Sequence, residues 1–260
     1  MNARQPAGGG IARRRAMAEH VIRQGSVSVT ELAETFGVSV MTVHRDLDEL
    51  EGRGMVRKFR GGASAQASSV FESNIAYRMT ANQDAKESIA RVVVDTLEPG
   101  SSVMLDDSTT ALAVARQLGR VAPLTVVTNF LEGMKLLSDA PGIRLMALGG
   151  EYHPGHDSFL GLACIDAIEA MRTDVAVVST SAVSGGYAFH QEQEIVLVKR
   201  AMLATATRRV LAIDHTKLRR VGLHRVVPLD VFDTVVIDAG ADAKDVEALR
   251  EQHPDVRIAK

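Results

Sequence analysis

From about residue 100 onward, short runs of Val, Ile and Leu alternate with segments of helical period, and this alternation restricts the fold more than any other feature. The apolar runs fall at 103–105, 124–127, 143–148, 175–178, 210–213 and 235–237. Helix-period segments at 109–118, 131–137, 159–171, 194–206 and 243–252 follow most of them. Short runs rich in Val, Ile and Leu suit strands covered on both faces, and strand–helix alternation suits a mostly parallel sheet. The expected fold is a Rossmann-like α/β domain. Such sheets bind ligands beyond the carboxyl ends of their strands, so the residues just past each run are the candidate sites.

Asp106, Asp107, Ser108, Thr109 and Thr110 follow the first run and open a helix. Hydroxyls and backbone N–H groups at a helix N-terminus suit an anion, and a plain helix cap explains them equally. The aspartates would oppose an anion, so sugar hydroxyls or neighbouring backbone are their expected partners. Thr128 and Asn129 end the second run, Gly149 and Gly150 the third, Ser179 to Ser181 the fourth, and Asp214, His215 and Lys217 the fifth. Lys199, on a later helix, is the candidate positive charge for a phosphate. Polar groups converging on one edge favour a small polar ligand over any one of them read alone.

The first seventy residues follow a different pattern. A helix over 11–24, with Arg13, Arg14 and Arg15 near its start, is expected to end at Gly25. A short helix over 30–36 is expected with Thr30 as its N-cap. Gly37-Val38 turns the chain, and Ser39 caps a third helix running from Val40 to about residue 53, with Val43, Leu47 and Leu50 inward. Two short helices about a glycine turn form a helix-turn-helix, whose second helix enters the major groove. Met41, Thr42, His44 and Arg45 lie on its outer face. A basic strand over 55–60 follows as a wing, with Arg57, Lys58 and Arg60 placed along a phosphate backbone. Charge supports the division: residues 1–70 carry +3 and residues 71–260 carry −5.

Residues 1–10 read as a disordered tail without a signal-peptide core, 11–62 as the winged helix-turn-helix, 63–70 as a small polar linker, and 71–260 as the ligand-sensing domain. A helix is expected over 79–97. The single cysteine, Cys164, excludes an internal disulfide and a cysteine-cluster metal site, and suits a reducing cytoplasm. No apolar stretch reaches membrane-spanning length.

The run from Val29 to Ala63 resembles the DNA-binding signature of DeoR-type regulators, through Glu31-Leu32-Ala33, Val38-Ser39, Thr42, Arg45-Asp46-Leu47, Leu50, Gly54 and Gly61-Gly62-Ala63. His44 stands where that family often has an arginine. Residues 86–90, 105–113, 124–129, 148–150, Gly161, 199–202 and 214–217 resemble its sensor domain. That sensor is similar to ribose-5-phosphate isomerase, and family effectors are typically phosphorylated sugars. Ser108 replaces a frequent glycine of the family.

The resemblance implies a transcriptional regulator, a repressor of carbohydrate genes, with double-stranded operator DNA and a phosphorylated sugar as partners. A single recognition helix buries little surface, so a dimer or tetramer is expected. No cofactor is expected. Two side-chain sets have metal-ligating types, His153, His156 and Asp157, and His190, Glu192 and Glu194, but their spacing matches no metal motif. The alternative is a sugar-phosphate isomerase with an appended DNA-binding domain. Its candidate bases are Glu192, Glu194 and Asp214, with no paired oxyanion-stabilising group.

Overall fold

The structure is a computed structural model and describes residues 9–24, 26–52, 55–65, 75–218, 220 and 222–260. Two compact units divide the chain, residues 1–77 and 78–260. Most of the expected tail, most of the linker, and Gly25, Arg53 and Gly54 lie outside the described residues.

The first unit contains α1 (Gly9–Gln24), β1 (Ser26–Ser28), α2 (Val29–Phe36), α3 (Val40–Gly52), β2 (Val56–Phe59) and β3 (Gly62–Ala65). Gly9 and Gly10, expected in the tail, already belong to α1. Met17, Val21, Leu32, Val43, Leu47, Leu50 and Val56 form a separate core, with Ala63 sealed into it. Val29 and Leu32 bury one side of α2.

The N-cap of α2 is Ser28 rather than Thr30, since the Glu31 N–H donates to Ser28 Oγ at 3.1 Å. Gly37 then takes a left-handed φ of 61°, which a side chain would resist, and turns the chain toward α3. The wing is a hairpin inside a three-stranded sheet of order β1-β3-β2. Residues 63–65, expected as linker, are therefore strand: Ala63 pairs with both Val27 and Lys58.

A short helix, α4 (Ile75–Thr80), and then α5 (Gln83–Val94) replace the single helix expected over 79–97. Asn82 breaks it with a φ of 51°, a left-handed conformation that asparagine tolerates better than most residues. The second unit continues with β4 (Ser102–Leu105), α6 (Thr109–Gln117), β5 (Leu124–Thr128), α7 (Leu131–Leu137), β6 (Ile143–Ala147), β7 (Glu151–His153), β8 (Ser158–Leu160) and α8 (Leu162–Glu169). Next come β9 (Thr173–Val178), β10 (Ala182–Ser184), β11 (Tyr187–His190), α9 (Gln193–Thr205), β12 (Ala206–Ile213), β13 (His224–Pro228), β14 (Thr234–Asp238), α10 (Ala243–Gln252) and β15 (Val256–Ala259). The helix expected over 159–171 begins only at Leu162, because Phe159 pairs across a hairpin with Tyr152.

Seven parallel strands form the main sheet in the order β15-β14-β12-β9-β4-β5-β6. Alternate residues of one strand enter two different cores. Val175 and Val177 pack with Ile89, Val93 and Val114 of α5 and α6, while Ala176 and Val178 pack with Ile168, Ile195 and Met202 of α8 and α9. Burial of both faces is why these strands read as runs rich in Val, Ile and Leu.

Candidate nucleic-acid interface and effector site

Helix α3 starts at Ser39, whose Oγ accepts the Thr42 N–H at 3.2 Å and lies 2.9 Å from Thr42 Oγ1. On the outer face Met41 is 78% exposed. Arg45 is exposed, and Thr42 and His44 are half-buried. Arg45, Arg57 and Arg60 have no side-chain partner among the described residues, and all three face solvent. Thr30 and Ser39 are exposed as well.

Lys58 departs from expectation. Its ammonium pairs with Asp48 and its backbone N–H donates to Glu51 Oε1 at 2.7 Å. It ties the wing to α3 instead of lying free along a phosphate backbone.

Asp46 was not among the expected site residues. It is fully buried on the inner face of α3 and accepts from Arg13 Nε at 2.7 Å and Nη2 at 3.2 Å, with Arg14 Nη1 at 3.5 Å. The hydrogen bond to Asp46 raises the Arg13 pKa against a smaller opposing effect of burial. A carboxylate between Val43 and Leu47 on an apolar face, with an arginine cluster upstream, was the available signal.

In the second unit the strand order reverses between β4 and β9, which opens the crevice where such sheets bind ligands. Asp106 spans it. Its Oδ1 accepts the Ser108 N–H at 3.0 Å, and its Oδ2 accepts the Ser179 N–H at 2.7 Å and the Lys199 ammonium. Lys199 Nζ also lies 3.3 Å from Asp107 Oδ1, and Asp107 Oδ2 accepts the Ser158 hydroxyl at 3.0 Å. Burial alone would raise the Asp107 pKa. The charge of Lys199 above all outweighs it and holds the carboxyl well below its usual range. Burial likewise works to lower Lys199, and the two aspartates more than reverse it. Asp106 thus takes the backbone role among those open to it. Lys199, expected to face a phosphate, is instead consumed by two carboxylates.

Several other expected ligand groups are used internally. Ser108 caps α6, accepting the Ala111 N–H at 3.0 Å with an ordinary φ of −87°, so its replacement of a glycine brings no strain. Thr128 Oγ1 accepts the Phe130 N–H at 3.2 Å; the Ser181 backbone N–H donates to Phe189 O at 3.1 Å, a bond that leaves its buried hydroxyl uncommitted among the described residues. Gly150 has a φ of 146°, and a Cβ there would lie 2.3 Å from Leu160 O, so glycine allows the close approach at the open end of the β7–β8 hairpin. Gly149 is exposed with open space around it. Asp214 Oδ1 accepts from Asn82 Nδ2 at 3.1 Å and the Thr216 N–H at 3.0 Å. Burial would raise its pKa, but half-buried Lys217 and the Thr216 hydrogen bond outweigh that.

Thr109 and Thr110 also remain: buried at the start of α6, their hydroxyls have no partner among the described residues. Asn129 donates from Nδ2 to Phe159 O at 2.9 Å and leaves Oδ1 buried without a partner.

Sequence reasoning also missed Arg78, whose Nη1 lies 3.4 Å from Asp107 O and whose Nη2 lies 3.2 Å from His156 Nδ1. Ser158 and Asp238 escaped too; Asp238 accepts the His215 N–H at 2.6 Å.

The two expected metal-type sets recombine. His153 and His156 of the hairpin meet Glu192, with candidate ligand atoms within 4.8 Å of one another. Asp157 instead accepts the Tyr152 hydroxyl at 2.8 Å, and Glu194 is exposed. His190 accepts the Glu192 N–H at 3.2 Å, and burial, then Lys199, push its pKa well below the usual imidazole value. Glu192 and Asp214, candidate bases of the isomerase alternative, both sit below the usual carboxylate range, the former chiefly through His156, whose Nε2 lies 2.7 Å from its Oε1. Low pKa values make both poor proton acceptors.

Residues 13–69 match the family described as DeoR-like helix-turn-helix domain, and residues 81–239 match the DeoR C terminal sensor domain. The chain is 31% identical over 250 residues to an uncharacterized HTH-type transcriptional regulator, YgbI, of Escherichia coli strain K12, covering 96% of this chain and 98% of that protein. It is 32% identical over 238 residues to the glycerol-3-phosphate regulon repressor of the same strain, covering 90% and 93%. Among solved structures, ribose 5-phosphate isomerase A of Methanocaldococcus jannaschii aligns with 53% of this chain and 55% of its own, at 18% identity and a TM-score of 0.39. Among the described residues no helix is long and apolar enough to cross a membrane.

Proposed function

Because the chain belongs to the DeoR family of transcriptional regulators, we propose that it represses carbohydrate-metabolism genes and leaves its operator on binding a phosphorylated sugar. It is a DNA-binding regulator and not an enzyme. The observation that carries the reading is the two-sidedness of α3. Its inner face is locked by Asp46 to Arg13, and its outer face offers Met41 and an unpaired Arg45 to solvent.

Arg45 matches the acceptor pair of a guanine edge, Met41 and Thr42 a thymine methyl or phosphate, and His44 a base or phosphate. Arg57 and Arg60 of the wing suit backbone phosphates, which position without specifying. Two copies of the helix, related by a two-fold axis, read a repeated site, and the sensor domain holds the dimer or tetramer together. A protein acting on operator DNA works in the cytoplasm.

A relative named for the glycerol-3-phosphate regulon supports a phosphorylated effector. Thr109, Thr110, Ser181 and Asn129 are the groups left to receive it. The β7–β8 hairpin, fastened by Ser158 to Asp107 and by Phe159 to Asn129, borders this edge, and its displacement would open it. A closed and an opened sensor edge are two states of different ligand affinity, which any effector response requires.

The test begins with duplexes selected from a random library by the full-length chain. A panel of sugar phosphates is then titrated into the complex and screened by thermal shift. At least one is expected to raise the melting temperature and weaken operator binding. Changing both Thr109 and Thr110 to Val is expected to raise the effector concentration required. A panel without effect on either readout contradicts the proposal.

A further inference from the structure

We propose that Arg78, His153 and His156 form an anion subsite that takes the phosphate group of the effector. This rests on the reading of the second unit as a sensor of a phosphorylated sugar.

Lys199 lies between Asp106 and Asp107, so the loop over 106–110 offers a phosphate the Thr109 and Thr110 hydroxyls but, for charge, two carboxylates and one neutralised cation. Arg78 is different. Among the described residues its guanidinium meets a carbonyl at 3.4 Å and an imidazole at 3.2 Å and has no carboxylate partner. Its Nε is buried without a partner. Arginine offers five donors and no acceptor, so an oxyanion, rich in acceptor oxygens, suits it well.

The tautomer of His156 points the same way. The ring is fully buried. Because Arg78 can only donate, His156 Nδ1 accepts, and the proton of the neutral ring sits on Nε2. Nε2 is 2.7 Å from Glu192 Oε1, but the contact is out of line and leaves Nε2 without a hydrogen bond. His153 Nδ1 is a further buried nitrogen without a partner, on a ring 5.2 Å from that of His156. Neighbouring side chains thus hold nitrogens that lack acceptors, and an oxyanion supplies acceptors.

A metal ion suits the cluster poorly despite its two histidines and a glutamate. It would meet the Arg78 charge and find Nε2 protonated, whereas ligation needs the free lone pair. Glu192 is placed to accept a sugar hydroxyl next to the phosphate.

Arg78 is also the first residue of the second unit, and its carbonyl accepts the Lys86 ammonium at 2.6 Å.

The test uses the full-length chain and calorimetric titration with inorganic phosphate, sodium acetate, glycerol and zinc chloride, on wild type, Arg78→Gln and His153→Asn. Circular dichroism and melting temperature check folding. His153→Asn, on a surface hairpin, keeps the test alive if Arg78→Gln does not fold. Phosphate is expected to bind more tightly than acetate, and glycerol not at all. Arg78→Gln should weaken phosphate about tenfold or more, the value of a lost charged hydrogen bond, and His153→Asn several-fold. Undiminished phosphate binding in folded variants, no phosphate binding in wild type, or preference for acetate overturns the subsite. So does tight zinc binding lost in His153→Asn. None of these outcomes touches the regulator itself, which fails only if no sugar phosphate alters operator binding.

Discussion

Replacing Lys199 by Met tests the electrostatics of the sensor edge. Lys199 is 2% exposed, and its ammonium serves both Asp106, 1% exposed, and Asp107, 3% exposed. Met fills similar volume, so packing is nearly conserved and the change isolates the charge. Removing one partner of a buried ion pair costs about 3–5 kcal/mol, because the remaining charge has no compensation. For a unit of this size that corresponds to a fall in melting temperature of roughly 6–20 °C.

The pH dependence should reverse as well. In wild type the Asp107 pKa is depressed, so its stabilisation is present above the unfolded value of about 3.9 and is lost as pH falls through the folded value. In the variant the Lys199 charge is gone and the burial that opposes ionisation remains, so a folded pKa above about 3.9 is expected. The variant then recovers stability as pH falls from 7 to 5, while wild type does not. Urea unfolding of both proteins at the two pH values reads the effect. A loss under about 1 kcal/mol, or an equal loss at both pH values, would refute the reasoning.

Arg45→Ala should weaken binding of a selected duplex by roughly 1–3 kcal/mol in an anisotropy titration, since the residue is exposed and its loss leaves the fold intact; unchanged affinity removes it from the interface. Asp46→Ala should destabilise the DNA-binding unit by about 3 kcal/mol, the low end for a broken buried pair because Arg13 and Arg14 reach solvent in part; a melting curve like that of wild type contradicts this. His190 has a folded pKa well below the unfolded value of about 6.5, so it takes no stability above that pH and progressively more below it, at up to about 1.4 kcal/mol per pH unit. His190→Gln should flatten the stability curve between pH 6.5 and 5, and identical slopes would show that the imidazole is not held neutral.

Strands buried on both faces were legible because each carries a short run rich in Val, Ile and Leu, and β4, β5, β9 and β12 lie where such runs predict. The edge strand β15 was not. Its Val256 and Ile258 alternate with Arg257, one side being open to solvent, so no continuous run marks it. The hairpin β7–β8 was hidden for a related reason: Phe159 and Leu160 join the apolar residues after them into a helical period, and only pairing with Tyr152 and Glu151 separates them.

For the sites, sequence located the strand edge but not the division of labour along it. Asp106, Ser108 and Thr128 are polar where a buried strand must end, and whether such a group faces a ligand or its own backbone depends on neighbours far along the chain, as Ser179 is from Asp106. Arg78 was invisible for the same reason, since its partners Asp107 and His156 are brought to it only by the fold.

The most direct test is fluorescence anisotropy of the full-length chain on a library-selected duplex and on a scrambled duplex, at physiological salt, with and without the best-binding sugar phosphate. The account predicts a preference of roughly a thousandfold or more for the selected duplex, and a marked loss of that affinity when the sugar phosphate is added. Equal affinity for both duplexes, whatever small molecule is present, would contradict it.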